Sequence, residues 1–339
     1  MEPHPGQGLS PMSVVRRATV GDDRQVGLLS GVSFQPIFIM GDHRTGTTLL
    51  YQLLDATQCF NVVRAYHIIR YEAVLSNYLD GREESARQRL GEVFKEMGVT
   101  DRMLDGVKAT PDLPEEYGFL LGQGLRPRLS PKSLPRFVEA CRKVQFVSDP
   151  QKPLLLKNPW DFTNFLYLHQ VFPNAKFIFL HRNPIDVINS QIKAARVLYA
   201  AKSPYHALLD SAYNQVWEQP LRLGLIRLLF SSHFDLGFRT ASRHVARATR
   251  HFLEHVHRLA QRDCLGVKFE DLCQTPRLII TEILNFLEMG DNTVMKYDGF
   301  VQPRPTRLLE VVRRKKTSVM KRLRPYFIYC QYQTEGAGS

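Results

Sequence analysis

The stretch Pro36-Ile37-Phe38-Ile39-Met40-Gly41-Asp42-His43-Arg44-Thr45-Gly46-Thr47-Thr48-Leu49-Leu50-Tyr51-Gln52-Leu53-Leu54 constrains the fold of this chain more than any other. Its short apolar run at residues 37–40 predicts a buried parallel strand, and residues 48–54 predict the start of an apolar helix, so the glycines between them lie in a strand-to-helix turn. Gly41 and Gly46 let the backbone curl there. The amides of residues 44–48 are expected to face the hollow, with the positive end of the helix dipole behind them, which makes the turn an anion site. A nucleoside-triphosphate loop of the form G-x-x-x-x-G-K-[ST] would have lysine where Thr47 stands. Here the cation has moved inside the loop, to Arg44.

A second strand-turn-helix follows later. Residues 176–181 predict a strand, Arg182-Asn183 a turn, and Pro184 the first residue of a helix that runs through Ser190. An arginine at the strand end and a serine eight residues later can converge on one phosphate, one as a charged donor and the other as a hydroxyl donor.

With both motifs in this order, the chain resembles the sulfotransferases. Asp42-His43-Arg44-Thr45-Gly46-Thr47-Thr48 is similar to their P-R-[ST]-G-T-T loop, which holds the 5′-phosphosulfate of the donor 3′-phosphoadenosine 5′-phosphosulfate. The R-x-P-x-x-x-x-x-S pattern, here Arg182 and Ser190, resembles their site for the donor's 3′-phosphate. The resemblance implies an α/β, P-loop-like three-layer fold with a central parallel sheet flanked by helices and with helical insertions. It also implies in-line transfer of a sulfuryl group to a hydroxyl or amine, with no metal required.

Residue by residue, the resemblance makes Arg44, Thr45, Gly46, Thr47, Thr48, Arg182 and Ser190 donor-binding candidates. Lys157, just after a strand expected at 154–156, matches a K-x-P lining the donor and acceptor site. Leu265-Gly266-Val267-Lys268-Phe269-Glu270-Asp271-Leu272 resembles a V-x-Y-E-D-L segment in which Phe269 replaces the usual tyrosine, losing a hydroxyl but keeping an aromatic face for adenine. Lys315 and Lys316 are candidates for a basic C-terminal loop over the 3′-phosphate, and a flexible basic tail is the other reading of that stretch. Glu115 and Glu116 fall in a D-x-P-E-E-x-x-F-x-L stretch of bacterial members; read from the residues alone, Pro114-Glu115-Glu116 opens a helix and its carboxylates satisfy the dipole. For the base that removes the acceptor proton, His67 lies beyond the second strand, expected at 60–63, and an imidazole titrating near pH 6.5 is neutral enough to accept it. Glu72, Glu115 and Glu116 are the carboxylate alternatives.

Composition sets the remaining bounds. A chain of 339 residues, 44% hydrophobic, supports one catalytic unit, expected at 34–330, with a loose lead-in at 1–33 that carries a helix around 14–19 and a tail at 331–339. Lysine plus arginine numbers 45 against 33 acidic residues, a net charge of +12, which suits a phosphorylated donor, an anionic acceptor, a lipid surface or a nucleic acid. The resemblance favours the donor nucleotide and gives no reason to expect nucleic acid; the acceptor is a lipid-like or anionic hydroxyl or amine, and peripheral membrane contact stays open. Five scattered cysteines without C-x-x-C spacing predict free thiols rather than a disulfide framework or zinc ribbon, and the absence of a leader-like or membrane-spanning apolar run points to the cytoplasm.

Between the motifs, residues 81–97 predict an amphipathic surface helix and residues 159–172 a second helix. Residues 196–262 read as helical and basic. Arg239, Arg243, Arg247 and Arg250 form a stripe expected to be a solvated face. The apolar residues of 221–238 are expected to pack in the core, the alternatives being an interfacial helix or one lining an acceptor cleft. His251-Phe252-Leu253-Glu254-His255 spells the inverted zinc-protease signature, but nothing in the sequence marks a third ligand. Two rivals remain. A phosphoryl-transfer kinase would need the missing loop lysine and a magnesium carboxylate, and a non-enzymatic binder of nucleic acid or acidic membrane would rest on charge alone.

Overall fold

Every residue of strand β1 (Pro36–Met40) is buried, as a strand covered on both faces must be. Its side chains alternate between two cores. Phe38 and Met40 join Leu154, Leu156, Phe177 and Phe179 on one face, while Ile37 and Ile39 join Leu155, Ile178 and Leu180 on the other. The computed structural model describes residues 21–104, 106–122, 127–232, 235–290 and 307–333; the helix expected around 14–19 and the end of the tail lie outside them.

The sheet has five strands in the order β2-β3-β1-β4-β5, with β2 at Asn61–Val62, β3 at Leu154–Lys157, β4 at Lys176–His181 and β5 at Cys264–Lys268. All pairings are parallel. From β1 the chain crosses to β2 on one side, and from β4 it crosses to β5 on the other, so the segments leaving these adjacent strands diverge and open a crevice at their carboxyl ends. Open α/β sheets bind ligands at such a switch point. Helices cover both faces, giving the three-layer architecture anticipated from the sequence. One face carries Thr47–Ala56 and Pro276–Phe286 through Leu50, Leu53, Leu54, Ile279, Ile280 and Ile283, and the other is filled by Phe137, Phe165 and Phe252. The helices Pro184–Ala200, Leu236–His255 and Lys316–Arg322 share a further cluster outside the sheet, built on Ile188, Ile192, Val245, Val312, Val319 and Phe327.

Several local expectations need correction. The segment ending in Glu115 does not open a helix: its backbone is extended and pairs with 63–66, through Glu115 N–H to Val63 O (2.8 Å) and Ala65 N–H to Leu113 O (2.9 Å). Only a 3-10 helix at Tyr117–Leu121 follows. The helix expected over 159–172 is interrupted, with a 3-10 turn at Pro159–Asp161 and an α-helix at Phe165–Val171. The break falls where the buried Asp161 carboxylate gathers Tyr117 Oη (2.7 Å), Asn158 Nδ2 (2.8 Å), Asn164 Nδ2 (2.7 Å) and the Leu129 amide. Residues 21–33 are not a loose lead-in, because buried Asp22 accepts the amides of Leu75 and Ser76 and pairs with Lys143 at 3.0 Å. The apolar run after 220 does not pack in the core: in the Pro220–Leu229 helix only Leu223 is buried. Among the described residues no helix is long and apolar enough to cross a membrane, and all five cysteines are free thiols.

Candidate active site

The loop after β1 is built around its two glycines. A Cβ at Gly41 would fall 2.6 Å from Thr45 Oγ1 and 2.7 Å from Thr47 Cγ2, and one at Gly46 would fall 2.2 and 2.4 Å from ring carbons of Phe269. Gly46 also has φ +101°, a left-handed conformation that glycine adopts without penalty. Arg44 is left-handed as well, with φ 71°, a strained state that persists only where neighbours hold it. The curl closes through Asp42 O, which accepts both the Thr45 amide (3.1 Å) and Thr45 Oγ1 (2.8 Å). The Thr45 amide is thereby taken out of the expected cradle. The amides of Thr47 and Thr48, in the first helical turn, have no acceptor within their helix.

Arg44, Arg182, Ser190 and Phe269, all expected donor residues, meet here. Arg44 Nε donates to Ser190 Oγ at 3.1 Å, and Arg182 Nη1 donates to Arg44 O at 3.0 Å. The Arg182 guanidinium lies 4.2 Å from the centre of the Phe269 ring, the same ring that fills the space beside Gly46. Arg44 Nη2 also donates to Leu104 O at 3.3 Å. Two positive side chains, a hydroxyl and an aromatic face therefore surround one helix N-terminus.

The second group lies on the β3 side. Lys157, fully buried at the strand end, donates to Thr48 Oγ1 and to Glu116 Oε1, each at 3.1 Å. Burial alone would favour neutral Glu116, but Lys157, Arg102 and His43 outweigh it and hold the carboxyl at about 2. The carboxylate is ionised and holds the lysine over the loop. His43 completes the group: its ring packs on Trp160 at 3.9 Å between centroids, and desolvation, with help from Lys157 and His244, lowers its pKa from 6.5 to about 4 against the pull of Asp42 and Glu116. At neutral pH this imidazole is uncharged.

Other expected site residues stand apart from these contacts. His67 is buried in the short Ala65–Ile69 helix, where its Nδ1 accepts the Arg64 amide at 3.2 Å. Burial, reinforced by Arg87 and Arg64, holds its pKa well below 6.5. Glu115 has no exposed surface and accepts Tyr205 Oη (2.8 Å) beside Arg102 (3.5 Å). Glu72 is exposed and pairs loosely with Arg136 at 3.9 Å. Lys315 pairs with Asp235 at 2.6 Å and lies over Phe238; with Lys316 it belongs to a helical C-terminal segment rather than a flexible tail. The His251 and His255 rings stack at 4.3 Å, and among the described residues no three histidine, cysteine or acidic side chains are grouped to hold a metal ion.

The sequence reading missed the clasp around the loop. Asp42 Oδ1 lies 2.9 Å from His244 Nε2 and accepts the His43 amide at 2.7 Å, while Gln191 Nε2 donates to His43 O at 3.0 Å. Glu270 does the same for the second motif, accepting the Asn183 amide at 3.0 Å and Tyr332 Oη at 2.9 Å. His43 carried a signal, since it lies inside the loop motif directly before Arg44. His244 and Tyr332 carried none, because only the tertiary fold brings them to these carboxylates.

A profile described as the sulfotransferase family matches residues 36–292. The chain is similar, at 26% identity over 278 residues, to the omega-hydroxy-beta-dihydromenaquinone-9 sulfotransferase of Mycobacterium tuberculosis, a match that covers 76% of this chain and 63% of that protein. The chain thus spans less than two thirds of that relative's length. Among solved structures, sulfotransferase STF9 from Mycobacterium avium superposes with a TM-score of 0.64 at 14% identity, over 96% of this chain and 82% of that one. Sulfotransferase STF1 from Mycobacterium tuberculosis superposes with a TM-score of 0.53 at 16% identity, over 88% and 79% of the two chains. At these identities the superpositions speak for a shared fold.

Proposed function

The chain belongs to the sulfotransferase family, and from that premise we propose that it moves a sulfuryl group from 3′-phosphoadenosine 5′-phosphosulfate to a hydroxyl on a lipid-like acceptor. The observation that carries this reading is the convergence of Arg44, Arg182 and Ser190 at the N-terminus of the loop helix. Two guanidiniums, a hydroxyl and first-turn amides suit a ligand with phosphate at one end and phosphosulfate at the other. Arg182 and Ser190 take the 3′-phosphate in this reading, Arg44 and the amides of Thr47 and Thr48 take the 5′-phosphosulfate, and Phe269 faces the adenine. The acceptor class is drawn from the mycobacterial relative, which is named for an omega-hydroxy-beta-dihydromenaquinone-9.

In the reaction the acceptor oxygen bonds to sulfur, the bond from sulfur to the bridging phosphate oxygen breaks, and adenosine 3′,5′-bisphosphate leaves. Lys157 stands beside the first turn of the loop helix, where its charge offsets the negative charge gathering on that bridging oxygen. The acceptor proton needs a base that is unprotonated at neutral pH and not already tied up in an ion pair; the Glu116 carboxylate is ionised but bound to Lys157. His67 and Glu115 are committed to partners elsewhere, whereas His43 is uncharged at neutral pH and shares the Lys157–Glu116 group. We assign the proton to His43, whose imidazolium would be stabilised by Asp42 and Glu116.

A thermal-shift comparison tests the reading. Adenosine 3′,5′-bisphosphate is expected to raise the melting temperature, while ATP with magnesium and an oligonucleotide leave it nearly unchanged. Stabilisation by ATP with magnesium alone would replace sulfuryl transfer with phosphoryl transfer.

A further inference from the structure

The Pro220–Leu229 helix turns its leucines the wrong way for a core helix. Leu221, Leu225 and Leu228 are 87%, 67% and 50% exposed, while Leu223 alone is buried. At about 100° per residue, the three exposed leucines fall within an arc of about 60°, and Leu223 lies on the opposite side. Arg222 and Arg227 sit about 100–120° to either side of the leucine stripe.

This face is firmly held. Arg227 Nε donates to Tyr199 O (2.7 Å), and Arg196 Nε donates to Phe230 O (2.7 Å), tying the C-terminal end of this helix to the Pro184–Ala200 helix that carries Ser190. The surroundings are strongly positive. Residues 220–253 contain six arginines and a single carboxylate, Asp235, which is already paired with Arg314 and Lys315. Arg239, Arg243, Arg247 and Arg250 are all exposed.

We propose that the Pro220–Leu229 helix is an interfacial helix that docks the protein on an anionic lipid bilayer, with Leu221, Leu225 and Leu228 entering the acyl boundary. A leucine stripe flanked by arginines suits this occupant, since the apolar face leaves water while the long basic side chains keep their charge at the headgroups. A second copy of the chain fits poorly. A two-fold contact through this face would set the positive flanks of Arg222 and Arg227 against their own copies. Docking also places the helix carrying Ser190 next to the membrane, where a lipid-like acceptor would be found. The proposal concerns binding alone and holds whether or not the enzyme transfers a sulfuryl group.

Co-sedimentation of the full chain with phosphatidylcholine vesicles, with and without phosphatidylglycerol, tests it. Binding is expected to be at least about tenfold tighter on the anionic vesicles and to weaken when salt is raised to about 0.5 M. The Leu221→Ser/Leu225→Ser/Leu228→Ser variant should lose roughly tenfold or more of that binding while melting at the wild-type temperature, because the three side chains contribute little to the core. Leu221→Ser alone should lose part of it. Arg222→Gln should weaken binding to anionic vesicles and leave the weak binding to neutral ones unchanged. Equal vesicle binding by wild type and the triple variant would overturn the proposal. So would a wild type that ignores vesicles but forms a dimer abolished by the same substitutions.

Discussion

Arg44 and Ser190 lie 146 residues apart in the chain, yet their side chains share a 3.1 Å hydrogen bond at the N-terminus of the loop helix. Adjacent parallel strands β1 and β4 bring them together, each delivering its following loop to the same end of the sheet. Arg182 binds Arg44 through the backbone carbonyl, so the two motifs hold each other in place.

Arg182→Ala is expected to weaken binding of adenosine 3′,5′-bisphosphate by about 1.5–3 kcal/mol, the range for a hydrogen bond to a charged group. Calorimetry should show a much smaller loss for adenosine 5′-monophosphate, which lacks the 3′-phosphate. Equal losses for both ligands would remove Arg182 from that role.

His43→Gln should lower the catalytic rate by roughly 10²–10⁴ while donor affinity measured by calorimetry stays close to wild type. His67→Gln serves as the counterpart, because its imidazole is tied to the Arg64 amide. A near-normal rate in the His43 variant with loss in the His67 variant would return the proton to the position suggested by sequence.

Lys157→Met removes the partner of a carboxylate held ionised at about 2, and breaking a buried pair in this way costs about 3–5 kcal/mol. The double variant Lys157→Met/Glu116→Gln should recover much of that stability in urea unfolding but none of the activity. Recovery of both would make the pair purely structural.

Gly46→Ala must accommodate a Cβ only 2.2 Å from the Phe269 ring as well as a left-handed backbone. Donor affinity should fall at least about tenfold, and Phe269→Ala in the same chain should relieve the clash while leaving a conformational cost of about 1–3 kcal/mol. Full rescue of folding and binding would show that the glycine serves only to clear the ring.

Acid should act on stability through the buried histidines. Burial lowers His43 and His181 to about 4 and His67 well below 6.5, so the unfolded chain takes up protons that the folded one refuses. Stability from these groups is complete above about pH 6.5 and is lost as pH falls toward about 4, the sign expected when the unfolded state binds more protons. Urea midpoints measured between pH 7.5 and 5 should fall, and His181→Asn should make the decline shallower. An unchanged slope in that variant would exclude His181 from the effect.

Local pattern was enough to place β1, β3 and β4, because a parallel strand buried on both faces must be continuously apolar, as residues 37–40 and 177–180 are. It was also enough to send the loops carrying Arg44 and Arg182 to the carboxyl end of the sheet, since both stand in a strand-turn-helix order, but the hydrogen bonds of Arg44 to Ser190 and of Arg182 to Arg44 O depend on β1 and β4 being neighbours. Tertiary contact decided the rest. Glu115 left the expected helix for a strand-like pairing with Val63, and Asp161 broke a helix by collecting donors from two distant segments and its own turn. His67 and His43 look alike in sequence as imidazoles near a strand end, but burial against Arg64 occupied one while the loop curl set the other beside Lys157 and Glu116. The leucines of the Pro220–Leu229 helix are apolar in any context, and only the packing of Leu223 determined that the others face outward. Periodicity is a local property that a sequence carries outright, whereas the partner of a polar side chain and the face a helix buries depend on contacts between residues far apart in the chain.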